Sequence, residues 1–97
     1  MFGRKKRREE ERLRSALFAC PANDADLWIR FGYALYGWDR KRGYRLWEEW
    51  IRSSGMFDSK TLKQRWKQDI IRSKAPRDPV TIASIFYVAR EDYDWEE

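Results

Sequence analysis

Residues that commonly perform catalysis are scarce in this sequence. The chain has no histidine, the commonest general base and a frequent metal ligand, and Cys20 is its only cysteine. A cysteine nucleophile usually works with a histidine base, so Cys20, which ends an apolar helical stripe, is better explained as a core residue. Neighbouring acids such as Glu48 and Glu49 point about 100° apart on a helix and do not easily share an ion. Neither glycine-rich phosphate motif occurs, so we predict no enzymatic activity, no metal and no cofactor.

Basic side chains are the groups through which this sequence could bind a partner. Residues 12–90 contain 16 basic and 8 acidic side chains, and the net charge of the whole chain is +5. An excess of this kind favours a polyanionic partner, of which nucleic acid is the commonest. Three clusters are candidates for DNA or partner binding: the head Arg4, Lys5, Lys6, Arg7 and Arg8; the group Arg40, Lys41, Arg42 and Arg45; and the i, i+3, i+7 stripe Lys60, Lys63 and Lys67. They could follow a phosphate backbone or simply be solvated surface.

The six tryptophans divide into two groups. Four of them fall on apolar helical stripes and are predicted to fill the core: Trp28, Trp47, Trp50 and Trp66. Trp38 instead lies in a polar, basic segment, where its ring could stack on an unpaired base. The alternative for Trp38 is that its ring covers one end of the folded domain. The sequence leaves both interpretations open.

Two helices are predicted in the first third of the chain. Apolar residues at i, i+3, i+4 and i+7 indicate a helix over about residues 9–19, with three glutamates in its first turn, where the free N–H groups favour negative charge. Asn23 or Asp24 is a suitable N-cap for a second helix, which is predicted to stop at Gly37. Residues 38–43 are then predicted to form a short basic loop.

Two more helices are predicted in the middle of the chain. The third covers about residues 44–53, and Gly55 is well placed to end it. Asp58 or Ser59 then caps a fourth helix, whose apolar face is formed by Leu62, Trp66 and Ile70. The lysine stripe lies on this fourth helix.

A fifth helix is predicted near the C-terminus, after a loop at residues 73–79 that contains two of the three prolines. Thr81 is its expected N-cap, because helical spacing follows at Ile82, Ile85, Phe86 and Ala89. Apolar residues on both sides of Thr81 would also fit a short strand. Five amphipathic helices with short connections make an all-α fold, a compact bundle of about five short helices.

The chain is predicted to contain three regions. Residues 1–11 form a basic head with the start of the first helix and are expected to be partly disordered, residues 12–90 form the helical-bundle domain, and residues 91–97 form an acidic, solvated tail. There is no secretory signal, no apolar run near the ~18 residues needed to span a membrane, and no pair of cysteines. We therefore expect a cytoplasmic protein without a membrane partner. Its oligomeric state stays open, since an apolar strip beside Phe57, Ile71 and Val88 could belong to a dimer interface or to the core.

An ordered set of segments resembles the helix-bundle domain at the C-terminal side of many phage and plasmid primases, the second type of primase C-terminal domain. The resemblance covers most of the chain, and its spacing and order are both kept. It is carried by Leu17, "DADLWIRFGYAL" (residues 24–35), "GYRLWEEWIRSSGMFD" (residues 43–58), Leu62, "RWK" (residues 65–67), "VTIASIFYVAR" (residues 80–90), Tyr93 and Trp95.

The resemblance implies a helical bundle that helps a primase to engage template or initiating nucleotides, and a phage, plasmid or other mobile element as the source. The matching residues are mostly core, so they imply the fold more directly than the function. They are Trp28, Leu35, Trp47, Trp50, Trp66, Thr81, Ile82, Phe86 and Ala89. Neither a polymerase nor a helicase accompanies the domain, so we expect a stand-alone form.

Two functional hypotheses follow, and they differ in the partner. The first is a non-catalytic accessory module of mobile-element replication, which binds single-stranded or primer–template DNA or docks on a primase or helicase. The second is a phage- or plasmid-encoded inhibitor that binds a protein, such as an anti-CRISPR or another anti-defence or host-takeover protein, built on a primase-type bundle. A primase-associated enzyme ranks last, because the sequence offers no catalytic set.

Overall fold

The computed structural model describes residues 2–72 and 80–96, and it describes side chains from Arg8 onward. Five helices form this part of the chain. They are α1 (Phe2–Ala19), α2 (Ala25–Trp38), α3 (Arg40–Arg52), α4 (Ser59–Arg65), which continues as a π-helical segment (Trp66–Ile71), and α5 (Ile82–Tyr93). These residues contain no strand, so the prediction of an all-α bundle of about five helices is confirmed. The loop predicted at residues 73–79 lies outside the described residues. No described helix is both long and apolar enough to cross a membrane.

Aspartate caps set the starts of the central helices. The Asp24 carboxylate accepts hydrogen bonds from the backbone N–H groups of Asp26 (3.0 Å) and Leu27 (3.4 Å), which would otherwise lack partners. Asp58 caps α4 in the same way, accepting from the N–H of Thr61 at 2.8 Å. The sequence offered Asn23 or Asp24 for the first cap and Asp58 or Ser59 for the second, and the aspartate is the cap in both cases. Thr81 also occupies the predicted cap position of α5, but its side chain makes no capping hydrogen bond.

The first helix is longer at its start than predicted. α1 begins at Phe2 rather than near residue 9, so the glutamates at residues 9–11 lie in its interior and not in its first turn. Arginine, lysine and glutamate all have good helix propensity, and no proline precedes the predicted start. The helix therefore has no local reason to begin at the glutamates.

The boundary between the second and third helices was predicted wrongly. α2 continues through Gly37 to Trp38, and α3 begins at Arg40, so the basic segment predicted as a loop is the first turn of α3. The cause is Asp39, which closes α2 with its N–H and caps α3 by accepting from the N–H of Arg42 at 2.9 Å. One residue thus replaces the predicted loop. The short strand considered near Thr81 is likewise wrong, because α5 begins at Ile82.

The core is built around the four tryptophans that were predicted to fill it, which are at most 7% exposed. Backbone carbonyls satisfy the indole N–H groups of three of them: Trp28 donates to Ala22 at 2.7 Å, Trp47 to Trp28 at 2.9 Å, and Trp50 to Cys20 at 3.2 Å. These bonds tie α2, α3 and the end of α1 together, and they remove the cost of burying a polar group. Of the apolar strip considered for a dimer, Val88 is buried, Phe57 packs edge-on against Trp28, and only Ile71 is largely exposed, at 47%.

The C-terminal segment folds back onto the bundle. Trp95 is 8% exposed, stacks on Phe86 with ring centroids 5.5 Å apart, and donates from its indole N–H to the Ser15 hydroxyl at 2.9 Å. The reversal needs the left-handed conformation of Asp94, whose φ is 54°. The acidic residues around Trp95 are exposed, as predicted for a solvated segment, but the tryptophan between them belongs to the core.

Cys20 behaves as the core residue that its position predicts. Its side chain is 4% exposed, its thiol lies 3.4 Å from the Ala16 carbonyl, and burial together with the charge of Asp92 raises the pKa of the thiol to about 11. The thiolate is the reactive form, so we expect Cys20 to react far more slowly with iodoacetamide at pH 8 in the folded protein than in urea. Mass spectrometry of labelled protein measures both rates. Equal rates would contradict a buried thiol.

Candidate nucleic-acid interface

A cleft of about 360 Å³ opens between α2, the first turn of α3, and α4 with its π-helical continuation. We call it the basic cleft. Its walls combine aromatic and cationic side chains from two separate stretches of the sequence, residues 36–44 and 63–71. The residues lining it are Tyr36, Arg40, Lys41, Tyr44, Lys63, Trp66, Lys67 and Ile71.

Aromatic rings form the floor of the basic cleft. Trp66 is 5% exposed, and the rings of Tyr36 and Tyr44 approach it edge-on, with centroid distances of 6.0 and 5.5 Å. Trp47 supports it from the core side at 5.1 Å. Such contacts are the preferred geometry for aromatic pairs, so the rings are held in place before any ligand binds. Tyr36 and Tyr44 are only half-buried, and they present apolar surface to the cleft.

Four cations surround this aromatic floor. The Arg40 guanidinium lies 5.4 Å from the centre of the Tyr36 ring, a cation–π distance, and Lys41, Lys63 and Lys67 are exposed. None of the described residues that line the cleft is acidic. A concave, one-sign surface with apolar walls concentrates its positive potential toward an entering anion.

The π-helical segment forms one wall of the basic cleft. Its wider turn is visible in the hydrogen bond from the N–H of Arg72 to the carbonyl of Lys67 at 3.0 Å. It buries Ile70 against α2, where a Cβ on Gly32 would lie only 2.5 Å from the isoleucine Cδ1. The Tyr33 hydroxyl adds a bond of 3.2 Å to the carbonyl of Asp69. These contacts fix the wall, and π-helical turns are often found at functional sites.

A hydrogen-bonded carboxylate holds Tyr44 in position. Glu48 accepts hydrogen bonds from the hydroxyl groups of Tyr44 and Ser59, the latter at 2.7 Å, and lies 3.6 Å from the Arg52 guanidinium. Burial alone would raise the pKa of Glu48, but the bonds from Ser59 and Tyr44 and the charge of Arg52 lower it overall. Burial and the bond to Glu48 raise the pKa of Tyr44, so its hydroxyl remains protonated and keeps donating.

The structure brings together some of the predicted binding residues and separates others. Arg40 and Lys41 meet Lys63 and Lys67 at the basic cleft, although α3 and α4 carry them in separate parts of the sequence. Lys60 is exposed on α4 but does not line the cleft. The remaining cluster, Arg4 to Arg8, lies at the start of α1; of its side chains only that of Arg8 is among those described, and it is exposed.

Three other predicted binding residues do not line the basic cleft. Arg45 lies beside Glu48 and Glu49, a neighbourhood of mixed charge. Arg42 is half-buried, and its Nη1 atom has no hydrogen-bond partner. Trp38 is the last residue of α2, is half-buried against the core and donates its indole N–H to the Glu9 carboxylate. The Trp38 indole N–H therefore has its partner on α1.

Four residues line the basic cleft but were not predicted as binding residues: Tyr36, Tyr44, Trp66, which was predicted only as a core residue, and Ile71. Tyr36 and Tyr44 flank the first turn of α3, and that proximity to Arg40 and Lys41 was the signal available in the sequence. Ile71 was considered only as part of an apolar strip that could belong to a dimer interface or to the core. In the described part of the chain, no group of three acidic or cysteine side chains is arranged to hold a metal ion.

Comparison with known proteins adds one finding. A family model described as Primase C terminal 2 (PriCT-2) matches residues 13–89. This span contains every residue of the basic cleft and ends before Trp95. Comparison with curated proteins and with solved structures gives no match.

Proposed function

Because the chain belongs to the Primase C terminal 2 family, we propose that it is a non-catalytic accessory module of DNA replication in a mobile genetic element and binds DNA through the basic cleft. The family associates the chain with primases and primase–helicases, in which this domain is an accessory rather than the catalytic part. In association with a primase, the expected ligand is single-stranded or primer–template DNA.

The observation that carries the proposal is the meeting of Arg40 and Lys41 with Lys63 and Lys67 around an aromatic floor. Cations alone would suit any polyanion, and aromatic rings alone would suit many apolar ligands. Nucleic acid combines phosphates with flat, apolar base faces, so one surface of this kind can contact both. The other predicted clusters lack this combination among the described residues.

Binding of fluorescently labelled single-stranded and primer–template DNA across a salt series tests the proposal. If four phosphates are neutralised in the cleft, the affinity for single strands should fall ~50-fold between 50 and 200 mM salt, because each contact releases bound counterions. Absence of binding at 50 mM salt and tens of micromolar protein would contradict the proposal. The cleft would then be tested against protein partners with acidic surfaces, including the targets of an inhibitor.

A matched pair of lysines on α4 locates the binding surface. Lys63→Gln should weaken single-strand binding about 5–10-fold at 50 mM salt and reduce the salt dependence by roughly one contact. Lys60→Gln removes the same charge from the same helix, but Lys60 does not line the cleft, so it should change the affinity much less. Equal losses from the two variants would mean that the fourth helix binds DNA through its whole lysine stripe.

A further inference from the structure

We infer that the basic cleft holds one unstacked nucleobase of a DNA single strand, so that the protein selects unpaired over duplex DNA. This inference rests on the proposed function and adds to it the part of the DNA that the cleft recognises. Phosphate binding alone does not require an apolar surface. The cleft has an apolar surface, formed by Tyr36, Tyr44 and Ile71, in the middle of its cations.

The exposure of Ile71 is the first argument. This side chain is 47% exposed, and it lies beside two half-buried tyrosines in a cleft rimmed by cations. A surface that bound only phosphates would gain nothing from an isoleucine at this position. A base face would remove the isoleucine and the tyrosine rings from water, and stacking of this kind tolerates any sequence because every base has a flat apolar face.

The size of the cleft is the second argument. Its volume of about 360 Å³ is at the lower end of the range of small-ligand sites, roughly 300–1,000 Å³. This is room for a single nucleotide rather than for a stack of base pairs. In a duplex the base faces are covered by their neighbours, and a base can reach such a site only after unstacking and unpairing, which costs free energy.

The placement of the cations is the third argument. Arg40 and Lys41 lie on α3, and Lys63 and Lys67 lie on α4 and its π-helical continuation. The two pairs of cations therefore lie on different helices that border the apolar surface. A nucleotide within a strand has a phosphate on either side of its base. One strand crossing the cleft can therefore contact both cation pairs while its base rests on the rings. The contacts that fix Tyr44 and Trp66 keep this surface formed in advance, which lowers the entropy cost of binding.

Strands of equal length and charge, with and without bases, test the inference. The protein should bind a short thymidine strand about tenfold more tightly than a fully abasic strand, because the abasic strand keeps every phosphate and loses the stacking. The salt dependence of the two should be the same. The thymidine strand should also bind more tightly than a duplex of that length.

Two variants and a control connect this preference to the cleft. Tyr36→Ala and Ile71→Ser should each lower the ratio of thymidine-strand to abasic-strand affinity toward one. Ile71 is largely exposed, so its variant keeps the test valid even if Tyr36→Ala unfolds. Tyr87→Ala removes a tyrosine that is 62% exposed on α5 and does not line the cleft, and it should leave the ratio unchanged.

The outcomes separate this inference from the proposed function. Salt-sensitive binding with equal affinity for thymidine and abasic strands, or for single strands and duplex, would overturn the inference and leave DNA binding in place. An unchanged ratio in both cleft variants would also overturn it. Failure of every strand to bind at low salt would contradict the proposed function itself.

Discussion

Neutralising the four cations of the basic cleft should lower the affinity for single-stranded DNA more than about 100-fold at 50 mM salt and leave little salt dependence. The physical reason is that each cation replaces counterions condensed on the strand, and their release is the main sequence-independent contribution to binding. The four side chains are exposed and no ion pair ties them to a described acid, so the fold should tolerate their loss. The variant is Arg40→Gln, Lys41→Gln, Lys63→Gln and Lys67→Gln.

A second variant with the same net charge controls for the overall field of the protein. It changes four exposed cations that do not line the cleft: Arg8→Gln, Arg30→Gln, Lys60→Gln and Arg90→Gln. Fluorescence anisotropy should give an affinity close to that of the unaltered protein, with a small loss from weaker long-range attraction. If both variants lose the same affinity, binding follows net charge and the cleft has no special role. Circular dichroism establishes that both are folded.

Two helical glycines should respond in opposite directions to the same substitution. Alanine is favoured over glycine inside a helix by about 1 kcal/mol, so local propensity predicts stabilisation at both Gly37 and Gly43. A Cβ at Gly37 would meet nothing within 4 Å, and Gly37→Ala should raise the free energy of unfolding by roughly 0.5–1 kcal/mol. A Cβ at Gly43 would lie 2.2 Å from the carbonyl oxygen of Leu35, a backbone atom that cannot rotate away.

Gly43→Ala should therefore lower the free energy of unfolding by about 2–3 kcal/mol, since α2 and α3 must separate to admit the methyl group. Urea unfolding followed by tryptophan fluorescence measures both variants, with Gly37→Ala as the matched control. The separation should also weaken DNA binding, because Tyr36 on α2 and Tyr44 on α3 would no longer meet on Trp66. A Gly43→Ala protein as stable as the Gly37→Ala protein would contradict the close helix crossing.

The two glycines also bear on the wrongly predicted boundary between α2 and α3. Gly37 was predicted to stop α2, and Gly43 was placed at the end of the short basic loop predicted at residues 38–43. In the structure both are helical, and Gly43 is needed where two backbones approach closely. A single sequence does not distinguish a glycine that ends a helix from one that admits a neighbouring helix, because the difference depends on what packs against it.

The candidate site could be predicted in its components but not in its arrangement. The composition predicted the basic character of the site. Helical spacing predicted the exposure of Lys63 and Lys67 and the burial of Trp66. Helical spacing did not predict that Lys60 lies outside the cleft or that Arg45 lies apart from Arg40. The reason is that neighbouring turns of one helix face different elements of the fold. Trp38, predicted to stack on a base or to cover an end of the domain, lies against Glu9 on α1, a contact between distant parts of the chain.

The sequence by itself determined the helical class and the tryptophan core, and it narrowed the caps of α2 and α4 to two neighbouring residues each, because these features depend on periodicity and on hydrogen bonds between residues close in the chain. Only the tertiary structure decided that Arg40 and Lys41 share a cleft with Lys63 and Lys67, and that Trp95 returns to the core. The close approach at Gly43 sets which faces of α2 and α3 meet, and the π-helical segment after Arg65 packs Ile70 against Gly32 of α2. Such contacts join residues that are far apart in the sequence, and the local pattern of each helix carries no information about the partner that it will face.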